Sequence, residues 1–292
     1  MRFFFALFLA LSLATAPVAA ADAPKPGTPP QQTTPPPPVP CTSKLCYLGG
    51  TLSVAVVTIF IVWVATSSEI LRSSEPHLFP TRRQRNTIRA NLAAGRPAGV
   101  NAITALLVDY QRCFSFSQSQ MIWWFWIIAS SFVYIVWRTE DFFGVGFEGG
   151  LTQEALILLG IGAGTAVGAA VVSQAKADPT DADDPLNQFT AAAAAYENPP
   201  AGATPAALAA LQTNLLAAAE RLKSDGFLND ILSDQDGISL HRFQAVAWAA
   251  ALGVIFMVFV VRSGVAMPQL SVYELALLGI SSGTYLGLKT TE

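Results

Sequence analysis

The chain has 292 residues, of which 52% are hydrophobic and 13% are charged, and its formal net charge is −3. Soluble domains carry about 25% charged residues. This composition therefore excludes an ordinary soluble domain, and it indicates that much of the surface faces lipid.

The N-terminus has the pattern of a secretory signal peptide. Arg2 is followed by an apolar run over 3–11 and by small residues up to Ala21. The apolar run is shorter than the roughly 20 residues that cross a bilayer as a helix. We predict a signal peptide over 1–21, and an uncleaved anchor is the alternative.

Residues 22–46 are predicted to form an exported stalk. The run PKPGTPPQQTTPPPPVP over 24–40 favours extended polyproline II and builds no core. In an oxidising compartment Cys41 and Cys46 are expected to form a disulfide; free thiols or pairing between chains are the alternatives. We interpret Cys113 as a plain buried or interfacial thiol.

Five apolar runs follow, and each has the length of a membrane-spanning helix. Backbone groups in lipid must be hydrogen-bonded internally, so these runs are predicted to be helices. They lie at about 48–66, 120–137, 151–173, 244–261 and 271–288. The predicted fold is an all-α polytopic membrane protein: a first transmembrane helix over 47–66, then hairpins over 120–173 and 244–292.

Lysine and arginine set the predicted orientation. With the mature N-terminus outside, 12 of these residues lie in inner segments and 4 in outer ones. This distribution obeys the positive-inside rule. We therefore expect a bacterial inner-membrane protein whose C-terminus is cytoplasmic.

Two long segments are then cytoplasmic. Residues 67–119 contain a basic helix, TRRQRNTIRANLAAG, predicted to end at Gly95. Its arginines are candidates to hold anionic lipid headgroups, and a plain topology determinant is the alternative. The candidate lipid contacts are Arg82, Arg83, Arg85 and Arg89. Nucleic-acid binding is not expected, because no aromatic residues interleave the basic ones.

The second cytoplasmic segment, 174–243, begins acidic and becomes rich in alanine. Its acidic run lacks the ligand offsets and turn glycine of a Ca²⁺ loop, so neither a metal nor a cofactor is expected. Thr204 and Pro205 have the residue types of an N-cap and a first helical position. They predict a helix that ends before Gly226, followed by a short amphipathic piece, FLNDILSD.

The two hairpins form an internal repeat. Ser115, Gln120 and Trp124 match Ser239, Gln244 and Trp248 at an offset of 124. The offset then becomes 119, and 156–168 and 275–287 share eight identities in thirteen positions. Both copies enter the membrane from the same side, so the repeat is parallel rather than inverted.

Each copy carries glycines at a spacing of four, which places them on one helix face. Lipid gives no hydrophobic drive for helix association, so close backbone approach has to supply it. The predicted helix-packing residues are Gly160, Gly164, Gly168, Gly279, Gly283 and Gly287, with Thr165 and Thr284 beside them.

Six further residues in the hairpins, of three types, are candidates for a role. Glu154 and Glu274 lie in the first outer turn of a helix, where a carboxylate favours the helix N-terminus; an acidic ring on an ion pathway is the sharper alternative. Gln120 and Gln244, each one turn before Trp124 and Trp248, are interpreted as interface anchors. A brace between the hairpins is the alternative hypothesis for these pairs.

The hairpin sequences SLHRFQAVAW, MPQLSVYELALLGISSGTYLGLK and LILLGIGAGTAVGAA resemble those of uncharacterised bacterial multi-pass membrane proteins with Gly-Ile-Ser-x-Gly-Thr endings. The resemblance covers about 112–173 and 225–292. The first copy departs from it, with Gly162 where the second has Ser281. The resemblance implies the architecture and no activity.

The expected function is a self-associating structural or interaction platform with the lipid bilayer, its own copies and further proteins as partners. The alternative is an ion or small-solute channel formed by the glycine-rich hairpins. A membrane enzyme ranks third and is not expected, because the two histidines have no paired nucleophile, base or metal ligand in the sequence.

Overall fold

The computed structural model describes residues 44–72, 78–95, 101–139, 151–176, 181–234, 237–264 and 266–290. Within these residues the fold is helical, with ten helices and one two-stranded β pair. The signal peptide, the stalk and Cys41 lie outside the described residues, so the predictions made for them remain predictions.

Five helices lie where the sequence predicts membrane spans. They are α1 (Lys44–Ser67), α4 (Phe116–Thr139), α5 (Gln153–Lys176), α9 (Leu240–Ser263) and α10 (Val272–Lys289). Four of them, α1, α4, α5 and α9, are long and apolar enough to cross a membrane. The chain is therefore a helical membrane protein; α10, with 18 residues, is not among those four.

The boundaries of the helices have the same two offsets as the sequence repeat. The helices α4 and α9 begin and end exactly 124 residues apart, and α5 and α10 begin 119 residues apart. The residue before each first helix also makes the same type of contact. The Ser115 N–H donates to the Leu71 carbonyl and the Ser239 N–H to the Leu232 carbonyl, both at 2.8 Å.

The remaining helices are α2 (Arg82–Ala93), α3 (Ala102–Leu106), α6 (Pro185–Glu197), α7 (Pro205–Arg221) and α8 (Phe227–Leu232). The predicted basic helix is α2, and Gly95 follows it with a left-handed φ of 66°. The predicted N-cap of α7 is confirmed, because the Ala207 N–H donates to Thr204 Oγ1. The strands β1 (Ser233–Asp234) and β2 (Gly237–Ile238) pair antiparallel.

Helix α6 was not predicted. Asp184 caps it, accepting from the Leu186 N–H at 2.7 Å, and Pro185 occupies its first position. Both are ordinary helix-start signals. The acidic run preceding α6 is therefore in part a cap for this helix.

The described residues divide into two compact units. The first comprises the described parts of 1–62, 123–160 and 248–277, and the second those of 63–122, 161–247 and 278–292. The first unit consists mainly of apolar helix segments. The second contains a soluble-type core, where the Phe79 and Phe189 rings stack at 5.0 Å beside buried Ile103, Leu107 and Leu215.

Candidate functional site

The glycines that pack helices within the first unit are not the predicted ones. A Cβ at Gly253 of α9 would lie 2.6 Å from Ile127 Cδ1 and 2.7 Å from Trp123 Cζ2 of α4. A Cβ at Gly49 of α1 would lie 2.7 Å from the Trp137 ring. Such spacing leaves no room for a side chain, so these glycines permit close helix contact. The only sequence signals for them were short runs of small residues in α1 and α9.

The predicted glycine rows are open within the chain. A Cβ at Gly160, Gly164, Gly279, Gly283 or Gly287 would meet no atom of the described residues within 4 Å. Gly168 is the exception, because its Cβ would lie 3.0 Å from Leu286 Cδ1. Among the described residues, Gly168 is therefore the one row glycine with another helix packed against it.

The two threonines beside the rows differ. Thr165 is buried, and its hydroxyl donates at 2.7 Å to the Ile161 carbonyl of its own helix. Thr284 is exposed beside Gly283. Of the two, Thr284 is placed where a neighbouring helix can reach it.

The repeat anchors lie in unequal surroundings. Gln120 is buried, and its Nε2 donates to Ser282 Oγ at 3.4 Å. Trp124 is 1% exposed and Trp248 is 40% exposed, and Gln244 is also exposed. Gln120 therefore contacts the helix that ends the second predicted hairpin. Gln244 cannot make the corresponding contact, because the residue of the first copy that is equivalent to Ser282 is Ala163.

The two candidate pathway carboxylates begin α5 and α10. Ser271 donates to Glu274 Oε2 from its backbone N–H at 2.7 Å and from its hydroxyl at 3.0 Å. In return the Glu274 N–H contacts Ser271 Oγ at 3.4 Å. This is a capping box. Glu154 is half-buried in the first turn of α5.

The basic segment folds around one buried carboxylate, which sequence reasoning did not single out. Glu69, with a left-handed φ of 55°, accepts from Arg85 Nη2 at 3.0 Å and from Arg112 Nη2 at 2.9 Å. Its Oε1 also accepts from the Arg82 N–H at 2.8 Å, at the start of α2. Glu69 therefore links the end of α1 to α2 and to the segment before α4. Its only sequence signal is an acid within a basic segment.

Two more charged residues, Arg72 and Asp230, bond to the segment before α4. Arg72 donates to the Arg112 carbonyl and, at 2.7 Å, to Gln111 Oε1, and its guanidinium lies 4.4 Å from the Phe114 ring centre. Burial lowers the pKa of Arg72 from its usual value. Asp230 of α8 accepts from the Phe114 N–H at 2.9 Å and from the Ser224 hydroxyl at 2.6 Å.

The four candidate lipid-binding arginines have different partners. Arg85 is buried in its ion pair with Glu69, and Arg89 pairs at the surface with Asp109 at 2.9 Å. Arg82 and Arg83 are exposed at the start of α2, where Arg82 Nη1 donates to the Thr66 carbonyl at 2.7 Å. Arg82, Arg83 and Arg89 therefore have the exposure that a headgroup contact requires, and Arg85 does not.

Cysteine chemistry is inert in the described residues. Cys46 is disulfide-bonded and Cys113 is a free thiol. Cys113 donates to the Leu222 carbonyl at 3.3 Å, and burial raises the pKa of its thiol to about 11. A thiol that stays protonated at neutral pH is a poor nucleophile. Among the described residues, no three His, Cys, Asp or Glu side chains come close enough together to hold a metal ion.

No protein-family model, curated protein or solved structure matches this chain. Its function therefore has to be argued from the contacts above.

Proposed function

We propose that this chain is an inner-membrane interaction platform that self-associates through the glycine rows of α5 and α10. One observation carries the proposal: at five of the six row glycines, nothing in the described chain lies within 4 Å of a Cβ position. Helices associate in lipid by close backbone contact at small residues. These rows have the residues for such contact, and within the described residues only Gly168 has another helix against it.

The open surface extends beyond the glycines. Val167 and Val171 on α5 are 65% and 57% exposed, and Ile280 on α10 is 67% exposed. Open glycine rows flanked by aliphatic side chains give shallow grooves that a second helix can fill. The occupant we propose is the corresponding helix of a second copy.

Sidedness and span number belong to the same proposal. We place α10 across the membrane as a fifth span, with the mature N-terminus outside and the C-terminus in the cytoplasm. The excess of lysine and arginine in the segments 67–119 and 174–243 supports this orientation. The core around Phe79 and Phe189 then lies in the cytoplasm, where it offers a folded surface to protein partners.

Exposed arginines support a lipid contact on that side. Arg82 and Arg83 begin α2, whose first residue is tied to the last turn of α1 through Thr66. In the proposed topology this places both guanidinium groups near the inner leaflet. Each basic residue near an anionic surface contributes about 1 kcal/mol of attraction.

The experiment measures association between two differently labelled copies by energy transfer in lipid bilayers. Gly164→Leu and Gly283→Leu fill the two rows, and we expect each to weaken association by roughly tenfold or more, equivalent to about 1.4 kcal/mol. Ala170→Leu is the matched control, because Ala170 is exposed on α5 but lies off the row. Unchanged association in both row variants contradicts the proposal.

A channel is the second candidate, and the observation that favours it is the acidic first turn shared by α5 and α10. An assembly that gathers several copies of Glu154 and Glu274 forms an acidic ring of the kind that selects cations. Conductance in reconstituted bilayers tests it. A channel conducts cations, and Glu274→Gln reduces its cation selectivity. A platform gives no current, either as the wild type or as Glu274→Gln.

A further inference from the structure

Helices α1 and α4 pack antiparallel in the first unit along a seam with polar groups. Trp126 Nε1 donates to Thr58 Oγ1 at 2.9 Å. Farther along α4, the Tyr134 ring lies against Gly50, where a Cβ would be 3.1 Å from Tyr134 Cδ2. At the end of α4 the Arg138 guanidinium lies 5.9 Å from the centre of the Tyr47 ring.

Four residues of α4 form one row along this seam. Trp126, Ser130, Tyr134 and Arg138 are each four residues apart, and side chains four residues apart lie on the same helix face. Trp126, Tyr134 and Arg138 contact Thr58, Gly50 and Tyr47 of α1 in turn. Ser130 is therefore placed between the Thr58 and Gly50 levels, in the middle of the seam.

Two hydroxyls of the row have no hydrogen-bond partner within the described chain. They are Ser130 Oγ and Tyr134 OH, and their residues are 0% and 4% exposed. Other hydroxyls in these helices are satisfied locally: Ser53 and Thr58 donate to the carbonyl four residues before them at 2.9 and 2.8 Å. Ser130 does not make that bond within the described residues.

An unpartnered hydroxyl is costly at this depth. A buried polar group without a hydrogen bond costs about 1–3 kcal/mol, and lipid tails supply no partner. Long side chains on a helix lean towards its N-terminus, so Tyr134 leans over the turn that carries Ser130. One small molecule in the seam is then able to bond to both hydroxyls.

We propose that the α1–α4 seam is a binding site for internal water, which bridges Ser130 Oγ and Tyr134 OH. Water is the ligand class that fits, because it both donates and accepts and satisfies two or more buried polar groups at once. The bridge makes the two hydroxyls one coupled unit. This inference does not depend on self-association.

The test is a double-mutant cycle on the full chain, with reversible unfolding measured in detergent micelles. We expect Ser130→Ala and Tyr134→Phe each to raise the unfolding equilibrium constant by roughly five- to tenfold, because each leaves the other hydroxyl poorly bonded. The double variant should unfold less readily than the product of the two effects predicts, because it removes both polar groups together.

Two results overturn the proposal. If each single variant leaves the unfolding constant unchanged or lowers it, the seam is dry; if the effects simply multiply, the hydroxyls share no ligand. Ser131→Ala is the matched control, since Ser131 contacts Met257 Sδ at 3.5 Å and should act independently of Tyr134→Phe. Magnetisation transfer from water to the Tyr134 ring, by solid-state NMR in bilayers, gives a second readout. Transfer is expected in the wild type and should fall in Ser130→Ala; its absence in the wild type also overturns the proposal.

Discussion

At Gly253 two helices of the first unit approach so closely that a methyl group has no room. The position of a Cβ falls 2.9 Å from Trp123 Nε1, which donates at 2.9 Å to the Ala249 carbonyl. Any side chain there has to displace Trp123 or Ile127. A substitution therefore costs both packing and this hydrogen bond.

We expect Gly253→Ala to lower the free energy of unfolding by about 1–3 kcal/mol, the usual cost of overpacking a helix contact. Gly164→Ala is the control, because nothing in the described chain meets its Cβ within 4 Å. Alanine also favours helix over glycine by up to about 1 kcal/mol. Unfolding in detergent should show a loss of stability for Gly253→Ala and none for Gly164→Ala. Equal changes in the free energy of unfolding would contradict this account of Gly253.

Glu69 is the residue on which the basic segment depends most. Its side chain is 7% exposed and accepts from two arginines. Removing one member of a buried ion pair leaves the others without compensation, typically at about 3–5 kcal/mol. We expect Glu69→Ala to lower the free energy of opening of α2 by that amount, measured by hydrogen–deuterium exchange of its amides.

Arg89→Ala is the matched control for this prediction. It breaks the Arg89–Asp109 pair, whose side chains are 53% and 78% exposed, and exposed pairs contribute at most about 1 kcal/mol. A small effect of Glu69→Ala, similar to that of Arg89→Ala, would show that the buried cluster is not what holds α2.

At the scale of elements, the repeated helices α4 and α9 have the same length and different surroundings. Trp124 of α4 is 1% exposed and Trp248 of α9 is 40% exposed. A sequence repeat specifies equivalent helices, but it does not specify which face each helix buries. The predicted repeat therefore does not extend to the burial of these two matched residues.

Trp124→Ala and Trp248→Ala test this divergence directly. Truncating a fully buried tryptophan costs about 3–5 kcal/mol, whereas loss of a partly exposed side chain should cost about 1 kcal/mol or less. Thermal unfolding of the two variants in the same detergent gives the comparison. Equal destabilisation would mean that both tryptophans are buried in the protein.

Helix positions were predictable from sequence because apolar length alone determines a span. The five runs overlap α1, α4, α5, α9 and α10, with bounds that differ by a few residues. Helix α6 was not predicted, although Asp184 and Pro185 have the residue types of an N-cap and a first helical position. The cap of α7 was predicted from Thr204, and Thr81 caps α2 by the same chemistry although it was not singled out from the sequence.

Contacts between helices were much less predictable. Glycines at a spacing of four indicated close packing but not with which partner. Within the described residues Gly168 is the row glycine in contact with another helix, and Gly49, Gly50 and Gly253, which carry no such spacing, make close contacts as well. Glu69 was missed because its partner Arg112 is 43 residues away in sequence. The burial of Glu69 depends on two segments that are distant in sequence, so no local sequence pattern indicates it.

At the scale of the whole molecule, the helix glycines fall into two sets. One set, at Gly49, Gly50 and Gly253, is filled by side chains of the same chain. The other is on α5 and α10, where five of the six glycines have no atom of the described residues within 4 Å of a Cβ position, and we propose that a second copy packs there. The hydrated seam between α1 and α4 belongs to the interior and should be unaffected by assembly.

The most direct measurement is disulfide cross-linking between copies in native membranes, in a Cys113→Ala background. Gly164→Cys places a thiol in the open row of α5, and Ala170→Cys is the off-row control. We expect Gly164→Cys to give a covalent dimer under mild oxidation and Ala170→Cys to stay monomeric. A monomer with both variants, or equal dimer with both, would contradict assembly through the glycine rows.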